Sequence, residues 1–192
     1  MSNKEKTVSE KEIAVMQLSE VEAYSESAEC RKKFVLHYFG EDMGNCDKCD
    51  NCQHPKEQKE AKDEIKLALQ VVAETNERVN IPNAINILIG RKSADITANN
   101  LDTLKIFGKG SEHDMVFWNS VVRKAILLNL LEKDIEQYGV LKLTESGKKF
   151  IKKPNSAKIV LNHKFEDGDD DDDVTTSNKS GGNVLEPPLL EL

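Results

Sequence analysis

The stretch LEKDIEQYGVLKLTES, residues 131–146, predicts a β-hairpin. Leu141 and Leu143 alternate with polar residues, as in a strand that buries one face. Between the two predicted strands, Tyr138-Gly139 provides the glycine that a tight turn favours. Immediately upstream, apolar residues recur at helical spacing around Trp118. A helix that leads directly into a short hairpin is typical of a winged helix.

Two more helices are predicted before this one. The first begins near Asp63, a suitable N-cap, and carries a single apolar stripe. The second is IPNAINILIG, residues 81–90, with proline in its first turn and glycine at its end. Ser111 followed by Asp114 resembles a capping box at the start of the third helix. The sequence therefore predicts a mainly α protein in which residues 60–153 form a winged-helix domain.

The N-terminal part has a different pattern. Residues 9–39 repeat apolar side chains at loose helical spacing, with a turn expected near 25–27, which predicts a helical hairpin. The glycines of FGEDMGN then break the pattern before the segment CDKCDNC, residues 46–52. The polar, proline-containing segment QHPKEQKEAK has the composition of a linker. We therefore predict a first domain over residues 1–56.

The four cysteines are Cys30, Cys46, Cys49 and Cys52. A disulfide framework is disfavoured because the N-terminus lacks an export signal and the last three cysteines are closely spaced. An iron–sulfur cluster uses the same ligands, but in the bacterial pattern the fourth cysteine follows shortly and precedes a proline. A four-cysteine zinc site fits best, while reduced thiols remain an alternative. His37 and His54 are further candidate ligands, although such histidines are more often ordinary surface or packed residues.

Charge is distributed unevenly along the chain. The net charge of -7 arises from the run EDGDDDDD at residues 166–173, whereas residues 123–164 carry an excess of lysine and arginine. Such an excess indicates either a polyanion-binding surface or a solvated face. Residues 154–192 are predicted to be a flexible acidic tail. One hypothesis is that the acidic run folds back on the basic stretch and competes with nucleic acid.

No catalytic constellation is visible. Neither Gly108-Lys109 nor Gly147-Lys148 belongs to a phosphate-binding loop, so the chain is not expected to hydrolyse ATP by itself. Hydrolase motifs are likewise missing. The charged N-terminus and the lack of a long apolar run predict a soluble, intracellular protein without a signal peptide or membrane span.

Several stretches resemble RecQ-family DNA helicases. AECRKKFVLHYFGED, residues 28–42, followed by CDKCDNC is similar to the zinc-binding subdomain of that family. LKIFGKGSEHDMVFWNSVVRKAILLNLL, residues 104–131, and LKLTESGKKF, residues 141–150, resemble its winged-helix region, the RQC domain. The resemblance covers about residues 5–153 and does not include the ATPase motor.

The resemblance implies a DNA-binding accessory region of an ATP-dependent 3′-to-5′ DNA helicase that acts in DNA repair, recombination and replication. It implies a structural Zn²⁺ held by the four cysteines named above. The implied partners are double-stranded DNA, junctions of double and single strands, the helicase ATPase lobes and acidic tails of single-stranded-DNA-binding protein. The implied location is the bacterial cytoplasm, in association with the nucleoid.

The resemblance also implies where DNA is contacted. The hairpin at residues 134–143 corresponds to the family's wing, with Tyr138 at its tip, where an aromatic ring can stack on a terminal base pair. The phosphate contacts that it implies are Lys109, Arg123, Lys142, Lys148 and Lys149. A solvated lysine and an exposed turn tyrosine are the alternatives at these positions, and Trp118 is better explained as a core residue.

Two other functions are compatible with the sequence. A zinc-containing winged-helix transcription regulator would prefer one DNA sequence and would be expected to dimerise. A protein-interaction adaptor would use the winged helix to bind acidic peptides.

Overall fold

The computed structural model describes residues 3–134, 137 and 139–162. Its N-terminal part contains the helices α1 (Asn3–Glu26), α2 (Arg31–Tyr38) and α3 (Asp50–Gln53). Helices α1 and α2 are separated at residues 27–30, close to the turn that the sequence predicts at residues 25–27. Among the helices described, none combines the length and the apolar character that crossing a membrane requires.

The remaining elements form a winged helix with additional short segments. They are β1 (Gln58–Glu60), α4 (Lys62–Glu74), α5 (Ile81–Ile89), α6 (Ala94–Ala98), a 3₁₀ turn (Leu101–Thr103), α7 (Met115–Leu127), β2 (Leu131–Asp134), β3 (Val140–Leu143), α8 (Glu145–Lys152) and β4 (Lys158–Val160). The fold class is therefore the one predicted, mainly helical with a small wing.

Side-chain caps explain where two of the helices begin. Asn80 precedes α5 and accepts a hydrogen bond from the Asn83 amide at 3.0 Å. Asp114 precedes α7 and accepts from the Phe117 amide at 2.8 Å, so the helix begins at Asp114 and the capping box predicted from Ser111 is wrong. Helix α4 follows Ala61 without a side-chain cap, and Asp63 lies in its first turn, where a carboxylate favours the helix dipole.

The wing is an antiparallel pair of β2 and β3. Leu131 lies opposite Leu143, and Asp134 lies opposite Val140. The Leu141 amide donates to the Val79 carbonyl at 2.8 Å, which ties β3 to the chain before α5. The predicted hairpin is thus confirmed, while Tyr138, its predicted tip, lies outside the described residues.

A second small sheet pairs β1 with β4. Gln58 lies opposite Val160, and Ile159 is buried in the core. The Asn162 amide donates to the Ser120 hydroxyl of α7 at 3.0 Å. Strand β4 lies in the segment that composition assigned to a flexible tail, and the packed chain extends past residue 153 because these contacts join it to the domain. The acidic run at residues 166–173 lies outside the described residues.

The core fills the space between α4, α5, α7 and the wing. It is almost entirely aliphatic, and its largest fully buried side chains include Trp118, Ile65, Leu69, Ile87, Leu88, Ile96, Ile106, Leu131, Leu141 and Ile159. Trp118 is completely buried, which confirms its interpretation as a core residue. The domain therefore folds around ordinary hydrophobic burial.

Candidate metal centre and nucleic-acid interface

The fold brings all four cysteines together. Cys30 is buried directly before α2, Cys46 lies in a loop, Cys49 is the N-cap of α3 and Cys52 lies within α3. Their Sγ atoms lie within 4.8 Å of one another. Ligands of a tetrahedral zinc with Zn–S bonds of about 2.3 Å are about 3.8 Å apart, so the cluster needs only a small contraction to hold the ion.

The surroundings of the thiols favour unequal protonation. Backbone amides of Lys48 and Cys49 lower the pKa of Cys46 to about 6. Burial, together with the neighbouring thiols, raises the pKa of Cys52 to about 12. Closely packed thiolates repel one another, and a divalent cation at their centre removes that repulsion. The donor set therefore fits a zinc ion, and four thiolates leave no open position for a substrate.

A polar frame fixes the cysteine loop against the helices. Arg31 pairs with Asp50 at 3.0 Å, and the guanidinium holds the pKa of the Asp50 carboxyl below its usual range. Arg31 also donates to the Tyr24 carbonyl and lies 5.2 Å from the centre of the Tyr24 ring. Asn51 donates to two carbonyls of the connection between α1 and α2, both at 2.8 Å. These contacts orient the ligands before any metal binds.

The glycine pair before α7 has a structural role. The Gly108 and Gly110 amides donate to the Ile87 and Leu88 carbonyls at the end of α5, each at 2.8 Å. The Trp118 indole in turn donates to the Gly110 carbonyl at 2.8 Å. A Cβ at Gly110 would lie 2.3 Å from the Trp118 ring. The segment that carries the family resemblance in this region therefore packs α5 against α7.

Exposed lysines concentrate on α8. Thr144 caps the helix by accepting from the Gly147 amide at 3.0 Å, and Phe150 is buried beneath it. The lysines of the helix are exposed to solvent; they are Lys148, Lys149, Lys152 and, at its C-cap, Lys153. The last two were not singled out from the sequence, although the run GKKFIKK contains them.

The lysines predicted to contact DNA differ in whether they already form an ion pair within the protein. Lys148 pairs with Glu145 at 2.9 Å, and Lys142 pairs with Asp134 across the wing. These partners raise the pKa of both lysines. Lys109 and Lys149 are exposed and form no ion pair within the described part of the chain.

Arg123 lies at the contact between the two parts of the molecule. Its guanidinium pairs with Glu20 of α1 at 2.9 Å, and Lys133 of β2 pairs with the other oxygen of Glu20 at 2.6 Å. Burial raises the pKa of Glu20, but the two cations outweigh burial and hold that pKa below its usual range. Beside them, Lys124 pairs with Glu29 at 2.6 Å. Sequence reasoning missed both glutamates, because no local pattern links residues about one hundred positions apart.

Comparison with known proteins identifies relatives over nearly the whole described chain. The model of the RQC domain matches residues 55–167, and the model called RecQ zinc-binding matches residues 1–53. The ATP-dependent DNA helicase RecQ of Pasteurella multocida is 26% identical over 145 residues, which are 74% of this chain and 23% of that protein. The ATP-dependent helicase SGS1 of Saccharomyces cerevisiae is 28% identical over 170 residues, which are 81% of this chain and 11% of that protein. The chain thus spans less than a quarter of the length of these relatives.

Proposed function

Because this chain belongs to the RQC domain family and begins with a RecQ zinc-binding domain, we propose that it is the DNA-binding accessory region of an ATP-dependent 3′-to-5′ DNA helicase. In this role it docks double-stranded DNA at the junction where the strands separate. Repair, recombination and replication of DNA, in a bacterial nucleoid, are the processes that such an enzyme would serve.

The observation that carries the proposal is the group of exposed lysines on α8 beside the wing, called here the lysine face of α8: Lys148, Lys149, Lys152 and Lys153. Lys149, Lys152 and Lys153 are exposed, and Lys148 and Lys142 have partners at the surface that phosphates can replace. Lysines act as point charges for phosphates and carry little sequence information. Tyr138, which connects the two wing strands in sequence, would stack on the end of the duplex, and Lys109 would contact the backbone nearby.

The zinc ion has a structural role in this proposal. Its ligands are Cys30, Cys46, Cys49 and Cys52, whose Sγ atoms already converge. Closed coordination excludes a substrate from the metal, so the ion stabilises the N-terminal part and contributes nothing directly to turnover.

The helicase ATPase lobes are the proposed partner of the N-terminal part. Helix α1 exposes Val15, Leu18 and Val21, each by more than 60% of its surface, and Phe39 after α2 is 72% exposed. Large apolar side chains exposed together on one helix are a candidate interaction site. The acidic tails of single-stranded-DNA-binding protein are a further proposed partner, attracted by the lysine face of α8.

The geometry of α7 weighs against a sequence-specific regulator. In a helix-turn-helix regulator the recognition helix enters the major groove with exposed side chains. Here the cations Arg123 and Lys124 on α7 pair with Glu20 and Glu29 instead. A surface that binds phosphates without base contacts is therefore favoured.

Duplex binding measured over a range of salt concentrations tests the proposal. The double variant Lys149→Gln/Lys152→Gln should lower the slope of log Kobs against log salt by about 1.8, because each lost phosphate contact contributes about 0.9. The control, Lys32→Gln/Lys56→Gln, removes the same charge from exposed residues of the N-terminal part and should leave the slope unchanged.

Competition with unrelated duplexes completes the experiment. Equal competition by random and fixed sequences is expected, and a strong preference for one sequence would favour the regulator. An unchanged slope in the α8 variant would contradict the proposed surface, as would DNA-dependent ATP hydrolysis by the chain alone.

A further inference from the structure

The cationic side of α7 and β2 is covered by carboxylates of the N-terminal part. Arg123, Lys124 and Lys133 each form an ion pair there, with N–O distances of 2.6 to 2.9 Å. All of these side chains are less than one-fifth exposed. The three cations are therefore largely shielded from solvent in this arrangement, although they belong to α7 and to the wing strand β2.

The surface between the two parts is polar and incompletely packed. Among the described residues, its buried apolar cluster consists of Ala23, Phe34 and Leu127. Beside that cluster lies a cavity of about 310 Å³, bordered by α1, α2, α7 and β2. Contacts of this kind resemble transient interfaces between domains, at which relative motion of the two parts is expected.

We propose that Arg123, Lys124 and Lys133 form a second duplex-binding surface, which Glu20 and Glu29 cover until DNA phosphates replace them. This inference rests on the proposed function and extends it, because the first surface lies on α8. A carboxylate and a phosphate compete for the same guanidinium and ammonium groups, so the exchange conserves ion pairing. The N-terminal part thereby limits how strongly the winged helix binds duplex in the covered arrangement.

Neutralising the two glutamates tests the proposal directly. In the full 192-residue chain, Glu20→Gln/Glu29→Gln should bind a 20-base-pair duplex several-fold more tightly at low salt. The slope of log Kobs against log salt should steepen by up to about 2.7, since three cations become available. A loss of stability alone would weaken binding and would not steepen the slope.

A matched control distinguishes the exposure of the three cations from a general change in net charge. Glu10→Gln/Glu22→Gln removes the same charge from exposed positions of α1 that form no ion pair in the described residues. This variant should retain the wild-type slope. Adding Arg123→Gln/Lys124→Gln should reduce the gain in slope of the Glu20/Glu29 variant from about 2.7 to about 0.9, the contribution of Lys133. The same two substitutions should change wild-type binding less, because the carboxylates still compete with phosphates there.

Hydrogen exchange of the wild-type chain gives a second measurement that needs no variant. Saturating duplex should accelerate amide exchange in α1 and in the connection before α2, because their contact with α7 opens. Unchanged or slower exchange there would overturn the proposal, and so would an unchanged salt slope in the Glu20/Glu29 variant. If the wild-type chain fails to bind duplex at all, the proposed function itself is wrong.

Discussion

In the winged-helix part, one cluster of buried apolar residues extends from Ala61 to Ile159 and includes Trp118. In the described residues of the N-terminal part, the buried apolar cluster consists of Ala23 and Phe34, packed against Leu127 of α7. That part relies instead on four converging thiols and on the polar contacts of Arg31 and Asn51. One region thus obtains its stability from hydrophobic burial and the other from metal chemistry, so different treatments should unfold them.

Loss of zinc should produce the largest difference between the two regions. Structural zinc contributes apparent binding free energies of about 10 to 16 kcal/mol in small domains. Cys49→Ser, or a strong chelator, should therefore unfold α2, α3 and the cysteine loop. The chain has a single tryptophan, Trp118, in the other region. Its fluorescence should remain native while helical circular dichroism and protease resistance fall.

Zinc added back to the chelated wild-type chain should restore both lost signals, and adding it to Cys49→Ser should not. Unchanged circular dichroism and protease resistance without metal would show that the N-terminal part does not depend on the ion.

Substitution of Gly110 should have the opposite effect: it should destabilise the winged-helix part and leave the zinc site intact. In Gly110→Ala the new Cβ would lie 2.3 Å from the Trp118 ring, so the core must move. Overpacking of this kind costs about 1 to 3 kcal/mol. Urea unfolding followed by Trp118 fluorescence should show that loss, with zinc content unchanged.

Gly44→Ala in the cysteine loop is the matched control. A Cβ at Gly44 meets no atom within 4 Å. The unfolding free energy of this variant should therefore differ from that of the wild type by less than about 0.5 kcal/mol. Equal effects of the two substitutions would contradict the close packing between Gly110 and Trp118.

Acidification should have the smallest effect and should act where the two regions meet. The folded pKa of Glu20 lies below the ordinary value of 4.5, because Arg123 and Lys133 stabilise its carboxylate. Its contribution is fully present above pH 4.5 and is lost as the pH falls through the lower folded value. For a pair near the surface we expect about 1 kcal/mol or less.

Unfolding free energies of the wild type and Glu20→Gln should therefore differ at pH 7 and converge at low pH. Glu22→Gln, which removes an exposed carboxylate from the same helix, should follow the wild type throughout. A constant difference between wild type and Glu20→Gln down to the lowest pH would argue against this ion pair.

Local patterns were sufficient to predict much of the fold. Proline near the start and glycine at the end predict α5, and Gly90 indeed adopts a left-handed conformation with φ of 76°. The alternation at Leu141 and the glycine at the turn predict the wing in the same way. The convergence of the cysteines was predictable because the short, regular spacing of the last three is typical of metal ligands.

The contacts between distant segments could not be predicted. Strands β1 and β4 have three residues each and lie about one hundred residues apart, so neither shows periodicity. Arg123 looks like any basic residue of an amphipathic helix until the fold places Glu20 beside it. Charge composition indicates how many cations a segment contains, and only the tertiary structure shows which of them solvent can reach.

The pairing of β1 with β4 has a mechanical consequence. Gln58 and Val160 lie opposite each other at the end of the sheet where the chain enters and leaves the domain. A pulling force between these two flanking segments would load the antiparallel hydrogen bonds one after another, as in opening a zipper. The sheet would yield at low force, while the helical core behind it carried almost no load.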